Sequence, residues 1–533
     1  MPHRCGTDVA LIWTPTATAG VIEPPSPRPT LAGMPTSDPF TTPEDATSSP
    51  VTASPAAALR SSLTVDLAEV AAHPDSPVTA DFAANPDLRR LLTADDASVW
   101  TIGGLGLIGF GRAANVVVTG DDRFTGARAW WDELTAGLSI VDPLSRSATG
   151  PVAFGAFAFA RTSTAASGLV LPELVIGHDH DGAWVTLVST APELTIADVA
   201  EAWNRLVPTV LPAGAPEALA PDADTTSGPG SDPDSRSGSN PHAVEDEAAA
   251  RTWCASVEEG VQLIRDGQLE KLVLARAVTV QGDGQPLDLT RALRRLAADY
   301  DTCWTYCVRI ADHEDRHADT LFGATPERLV RVLDGTLHAR VLAGTLDRAS
   351  APEGIPGSEW ARRNLFEDPK QRAEHEFAIG SLLGSVAAYT EEVESSTDPF
   401  VLELPNVWHL ASDVSADLTP GPDGTVPSAL ELVEAVHPTA AVCGTPTHEA
   451  AEAIARLEGL DRGLYAGPVG WLDSRHNGDF GIALRGGVRR TEDTAQVYAG
   501  CGVVEASVPA EELAETRAKL RPVLNALGVT PRS

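Results

Sequence analysis

The chain has 533 residues, 43% of them hydrophobic, which is enough apolar content for a sizeable core. Its 74 acidic against 39 basic residues leave a formal charge of −35, which excludes general binding of nucleic acid or an anionic membrane surface. An anionic small substrate stays open only where local arginine, lysine or a divalent metal offsets that field.

Six cysteines are scattered without a CxxC pair, so a reducing cytoplasm is expected. No apolar run reaches the roughly 18 residues of a membrane span. The first residues lack a secretory pattern. Residues 1–61, rich in Pro, Thr, Ser and Ala, read as a disordered arm that contains Met34 as a second possible start. Residues 62–211 read as an N-terminal α/β subdomain. Within it, Val99 to Ala113 suggests strand, Gly-rich turn, strand. Its Gly104–Gly109 segment fits GxGxxG in letters only, because strand and not helix is expected after it. Ala127 to Leu138 has the pattern of an amphipathic helix, and Gly150 to Ala160 that of a buried strand. Leu174 to Val188 reads as two strands around an Asp-Gly turn. His178 and His180 at that turn lack the further ligands of a zinc site.

Residues 212–243, a Pro/Gly/Ser/Asp-rich tract, read as a flexible insertion. Residues 244–533 carry the chemistry. Trp253, Val257, Val261 and Ile264 have helical spacing, and Gly267 stands where a helix would stop. Only Lys271, Lys370 and Lys519 are lysines, and the other basic residues are arginine. Arginine does not give up its proton, whereas a buried lysine can serve as a base. In KLVLARAV, Lys271, Val273 and Ala275 share one strand face. An edge lysine reaching water is the alternative reading.

Phe322 to Thr345 reads as a strand pair closed by Asp334-Gly335, with Gly344-Thr345 ending the second strand. Glu327 follows a Thr-Pro turn and either points into a cleft as an acid or lies on the surface. Asp368 and Pro369 mark the start of a helix that carries Glu374, with Phe377, Ile379 and Leu382 behind it. Ser507 and Pro509 mark another helix start. There Glu512, Glu515 and Lys519 are spaced i, i+3 and i+7, on one face. Carboxylates from two helices make a hard-oxygen site suited to magnesium, unless both faces are simply solvated.

Together EKLVLAR, FGATPERL, LAGT, KQRAEHEF, WHLAS, HPTAAVCGTP, GLYAGPVGW, DFGIALRG, YAGCGVV and ELAETRAKL stand in the order found in chorismate-utilising enzymes. That family includes isochorismate, salicylate and anthranilate synthases and aminodeoxychorismate synthase. The resemblance covers about residues 245 to 527, and more weakly 62 to 210. It implies an α/β (α+β) fold of two subdomains of mostly antiparallel sheet with helices outside. It implies that Glu374 and Glu515 bind Mg2+, with Glu512 acting through metal-bound water. Tyr465 and Arg485 resemble contacts to the enolpyruvyl carboxylate. Gly344, Thr345, Gly500, Gly502 and Lys519 resemble further substrate contacts.

Three positions discriminate within the family. Lys271 resembles the water-using members, where ammonia-using ones carry glutamine. Ala343 resembles members without a nucleophilic lysine. Ala441 resembles isochorismate synthases, where pyruvate-eliminating members tend to carry threonine. Tyr465, shared with salicylate and anthranilate synthases, and Gln371, where many members carry an acid, depart from an unmixed match. The implied activity is conversion of chorismate to isochorismate, with Lys271 as base, Glu327 as acid and His409 positioned at the ring. A salicylate synthase, an amidotransferase-coupled component and a silent chorismate-binding paralogue are the rivals. A cytoplasmic monomer without an amidotransferase subunit is expected, feeding menaquinone or siderophore synthesis.

Overall fold

Runs of Val, Leu, Ile and Trp at alternate positions dominate the ordered sequence, and they fold as two large sheets. The computed structural model describes residues 52–53, 58–208, 210–212, 241–245, 247–310, 319–395, 399–405, 407–422 and 424–529. The side chains of residues 345, 349, 370, 373, 374, 392, 394 and 395 are also outside the description. Residues 1–51 of the expected arm and residues 213–240 of the expected insertion lie outside it. Thr52–Ala53 pairs with Val117 and Val116. All that follows concerns the unit Ser49–Ser533.

Among the described residues one sheet has eleven strands and the other thirteen. Every pairing is antiparallel except that of Ser61–Asp66 with Ser139–Val141. Both sheets draw strands from both sides of residues 213–240: Val152–Ala156 pairs with Pro468–Asp473, and Ala97–Ile102 with Trp304–Arg309. Alternation sorts the side chains. Val99 and Ile108 turn to one hydrophobic cluster, Trp100 and Leu107 to the other. On the outer face of the larger sheet lie helices Leu289–Asp299 and Pro509–Ala526, through Leu293, Leu296, Leu520 and Val523. Helices Arg123–Ala136, Pro369–Val386 and Ala429–Val436 pack on the smaller sheet. The sheets meet closely: a Cβ on Gly481 of the smaller sheet would lie 2.9 Å from the Trp100 ring of the larger. Mostly antiparallel sheets with helices outside are the fold class expected from the sequence.

One ribbon joins the sheets. Strand Thr320–Thr325 lies in the larger sheet, and after Pro326 and Glu327 the chain continues as Arg328–Leu333 in the smaller. Beside it, Gly478–Ile482 in the smaller sheet passes to Gly486–Arg489 in the larger. The two crossing segments stay paired through the bend. Ile482 N–H donates to Glu327 O at 3.1 Å, and Ala324 N–H to Arg485 O at 3.3 Å. Glycines permit the crossing. A Cβ on Gly486 would collide with the Phe322 carbonyl and the Tyr306 hydroxyl, which itself donates to Leu484 O at 2.8 Å. The chain between Thr325 and Arg328 therefore leaves Glu327 between the sheets.

The Asp334-Gly335 hairpin forms as expected, with Leu333 opposite Thr336. The expected end of its second strand at Gly344-Thr345 does not occur. The strand Thr336–Asp347 runs on, and its register against Val407–Leu418 shifts between Ala343 and Thr345. Gly344 takes a φ of 83°, which a glycine adopts without steric cost. Phe377, further along the helix that carries Glu374, is 49% exposed. No helix among the described residues is long and apolar enough to cross a membrane. Gly486→Val should lower unfolding stability by about 1–3 kcal/mol, the usual range for overpacking. An unchanged urea midpoint would show that the crossing tolerates side chains.

Candidate active site

Lys271–Gln281 and Thr494–Val503 pair over ten residues, with Val273 opposite Gly502 and Ala275 opposite Gly500. On their inner face, beside the crossing ribbon, lies a cavity of about 140 Å³. Lys271, Val273 and Ala275 all line it, as the strand period requires. Gly500 and Gly502 line it opposite them, and a Cβ on Gly500 would sit 3.0 Å from Leu274 O. Glu327 enters from the ribbon, Gly344 and His409 from the smaller sheet, and Ala441 and Tyr465 from loops. Arg485 enters from the other ribbon segment, at a φ of 51° that non-glycine residues seldom adopt. Glu512, Glu515 and Lys519 enter from one face of helix Pro509–Ala526.

Twelve of the fourteen expected site residues thus meet at one cavity. The other two, Thr345 and Glu374, have side chains outside the described residues. Sequence reasoning did not single out Cys501 or Tyr498, which line the same wall. Tyr498 stacks on Tyr465, with ring centroids 4.9 Å apart. The alternation of small and large residues in VYAGCGV was the available signal.

Burial sets the protonation states. Glu327 is 6% exposed, and desolvation pushes its carboxyl up to about 8 against the opposing pull of Lys271, Lys519 and Arg485. It is a protonated acid at neutral pH. His409 is held well below its ordinary value by burial, then by the charges of Arg485 and Lys519. Its Nδ1 donates to Gly344 O at 3.2 Å, and its Nε2 accepts from Arg485 Nη2 at 2.9 Å. A carbonyl can only accept and a guanidinium only donate, so these partners fix the tautomer. Cys501 is pushed well above the thiol range, first by burial and then by Glu512 and Glu515. The neutral thiol is therefore its favoured form.

Lys519 Nζ lies 2.6 Å from Glu515 Oε1 and donates to Gly500 O at 3.0 Å. Glu512 is raised by burial and by the neighbouring charge of Glu515, opposed by hydrogen bonds from Ser507 and Cys501. Two adjacent carboxylates on one helix face form a hard-oxygen donor set. Gln371 adds an acceptor: its Oε1 is buried on the cavity wall without a partner among the described residues. These residues fit a divalent cation of the magnesium type. Among the described residues no three His, Cys, Asp or Glu side chains form a metal cluster, and Glu374 stands outside that set. His178 and His180 are not drawn into a site. Asp179 between them pairs with Arg146 at 3.0 Å, and His178 Nδ1 meets Gly104 O at 3.3 Å.

The family model for chorismate binding enzymes matches residues 101–528. The chain belongs to that family. It is 33% identical over 289 residues to isochorismate synthase MenF of Bacillus subtilis, covering 54% of this chain and 57% of that protein. It is 35% identical over 276 residues to isochorismate synthase DhbC of Bacillus subtilis, covering 51% and 67%. The matched segment thus spans little more than half of the first relative. The solved structure of DhbC from Bacillus anthracis superposes with a TM-score of 0.62 at 25% identity, over 83% of this chain and 99% of that one. The menaquinone-specific isochorismate synthase MenF of Escherichia coli shares the fold, with a TM-score of 0.60 at 20% identity over 90% and 95%.

The raised Glu327 carboxyl has a consequence for stability. Its value is about 8 in the fold against an ordinary 4.5, so the folded state holds a proton that the unfolded state has lost. Stability is full below about pH 4.5 and falls as pH rises to about 8, by at most ~1.4 kcal/mol per pH unit from this group. Glu327→Gln should flatten the loss over that window. Equal slopes in urea titrations of the two proteins at pH 5, 7 and 9 would mean that Glu327 is ionised.

Proposed function

We propose that this chain is an isochorismate synthase, an isomerase that adds water at ring carbon 2 of chorismate and releases the hydroxyl of carbon 4. One observation carries the reading. Lys271 and the protonated Glu327 reach one buried cavity, from the larger sheet and from the crossing ribbon. Lys271 takes a proton from the attacking water. Glu327 gives its proton to the departing hydroxyl as the ring double bonds shift. Water enters and water leaves, so the exchange is reversible. The acid and the base act from separate elements, which lets one step use both.

Chorismate is a dianion. Arg485 and Tyr465 face its enolpyruvyl carboxylate, and Lys519 with the backbone at Gly344, Thr345, Gly500 and Gly502 frames the ring. Glu512 and Glu515, with Glu374 from helix Pro369–Val386, are the residues that would hold Mg2+. When bound, the ion neutralises the ring carboxylate against these acids. His409 positions. Both its nitrogens are engaged, by Gly344 and Arg485, so it has no basic nitrogen left to assist pyruvate loss. That supports isochorismate as the end product, as does Ala441 on the cavity wall. Lys271, in place of the glutamine of ammonia-using relatives, supports action without an amidotransferase subunit. The product suits menaquinone or siderophore synthesis. The five described cysteines are free, in keeping with a reducing cytoplasm.

Chorismate turnover with separated products tests the reading. Isochorismate should be the product, and EDTA should abolish its formation. Glu515→Gln should raise the magnesium requirement steeply, because it removes a charged oxygen ligand. Full activity in metal-free buffer would overturn the metal assignment. Lys271→Arg keeps the charge and Lys271→Gln removes it. Both should cut turnover by about 10²- to 10⁴-fold, the usual share of general base catalysis. If Lys271→Arg keeps more than about a tenth of normal activity, Lys271 is a charge contact and not the base.

A further inference from the structure

The strand that carries Lys271 has an unfilled edge. One side pairs with Thr494–Val503 throughout Leu272–Gln281. The other side pairs with Gly444–Thr445 only at Lys271 and Leu272, and with His242–Val244 only at Thr279 to Gln281. Between these, among the described residues, no strand lies beside the backbone of Val273 and Ala275. Those residues are the next two on the lysine face, and their outward N–H and C=O groups are buried, so they need partners.

The partners are mostly side chains. Val273 N–H donates to Cys443 O at 2.8 Å, and Val273 O accepts from Arg462 Nη2 at 2.9 Å. Ala275 N–H donates to Glu458 Oε1 at 2.7 Å, and Ala275 O accepts from Trp253 Nε1 at 3.1 Å. Arg462 and Glu458 also pair with each other, through Nε and Oε2 at 2.9 Å, with side chains only 2% and 1% exposed. The remaining arm of the guanidinium, Nη1, donates to Val442 O at 2.8 Å, next to Ala441. Its flat face lies over the Phe159 ring at 4.2 Å.

We infer that Arg462 and Glu458 are positioning residues: their buried ion pair replaces the missing neighbour strand and fixes Lys271 against the Ala441–Val442 loop. A buried ion pair is no better for stability than apolar residues of similar size. Its particular contribution here is directional. One planar fork reaches a carbonyl on the base-bearing strand and a carbonyl on the specificity loop at once, which an apolar residue cannot do and a compact, rotatable ammonium does without fixed geometry. Arg462 borders the cavity, but four of its five N–H groups go to these partners, and it acts on the reaction through them. The inference rests on the reading of the cavity as a chorismate site.

The test compares the full-length chain, Arg462→Lys and the double variant Arg462→Met/Glu458→Met, each with saturating magnesium. The readouts are kcat, KM for chorismate and melting temperature. The double variant should lose about 10²-fold in kcat, the effect of a misplacement near 1 Å. Its KM should stay within about threefold, because substrate contacts remain. Arg462→Lys, which keeps the charge and one carbonyl contact, should fall between. A folded double variant with kcat within about twofold of normal would overturn the inference. So would a loss that appears in KM and melting temperature but not in kcat. Should the double variant fail to fold, Arg462→Lys decides on the same kcat criterion. No turnover by the unaltered chain counts against the function itself, whereas normal turnover with indifferent variants counts against Arg462 and Glu458 alone.

Discussion

The crossing of one paired ribbon from sheet to sheet is the constraint on which the site depends. A strand that stays in one sheet points alternate side chains at the core, where a carboxyl would be solvated by nothing and excluded. At the crossing, Thr325 is the last residue of one sheet and Arg328 the first of the other. Glu327 therefore hangs in the gap, with its backbone carbonyl still bonded to Ile482. Arg485 holds the matching place on the other ribbon segment. The left-handed backbone of Arg485 is the kind of local strain, of order 1–3 kcal/mol, that persists where the surroundings fix it. The fold thus supplies one acid and one guanidinium at a place that solvent reaches poorly.

Charge in the cavity runs against charge in the chain. The whole molecule carries −35, yet Lys271, Lys519 and Arg485 converge at one cavity. Burial neutralises Glu327 and so removes one negative charge from the site. Only Glu512 and Glu515 remain as described acids on the wall, and they adjoin each other on one helix face. A dianionic substrate is then admissible where the surface at large would repel it. Neutral His409 serves the same end. A charged imidazole could not accept from Arg485, and the guanidinium would lose its anchor.

Much of this was legible in the sequence because it depends on local periods. Period two put Lys271, Val273 and Ala275 on one face. Helical spacing put Glu512, Glu515 and Lys519 on another, and Asp334-Gly335 announced its hairpin. The sheet order was not legible, since it pairs Phe322 with Gly487 and Phe154 with Trp471, far apart in the chain. Gly344 looked like the end of a strand because a glycine at a bulge and a glycine at a terminus have the same local signature. Glu458 and Arg462 look in the sequence like an ordinary exposed i, i+4 pair. Only the open edge of the lysine strand, formed by residues nearly two hundred positions earlier, turns them inward. The resemblance to chorismate-utilising enzymes supplied proposed roles, and the tertiary fold brings twelve of those residues to one cavity.

The central claim is that the Lys271–Glu327 pair exchanges one oxygen for another: solvent water enters at carbon 2 and the carbon 4 hydroxyl leaves. Turnover of chorismate in ¹⁸O-labelled water, with mass analysis of the product at early times, tests it most directly. The account predicts isochorismate carrying one solvent oxygen on carbon 2, with label reaching recovered chorismate only later, by reversal. Unlabelled isochorismate would contradict it, because the hydroxyl would then have moved within the substrate and no base-activated water would be needed.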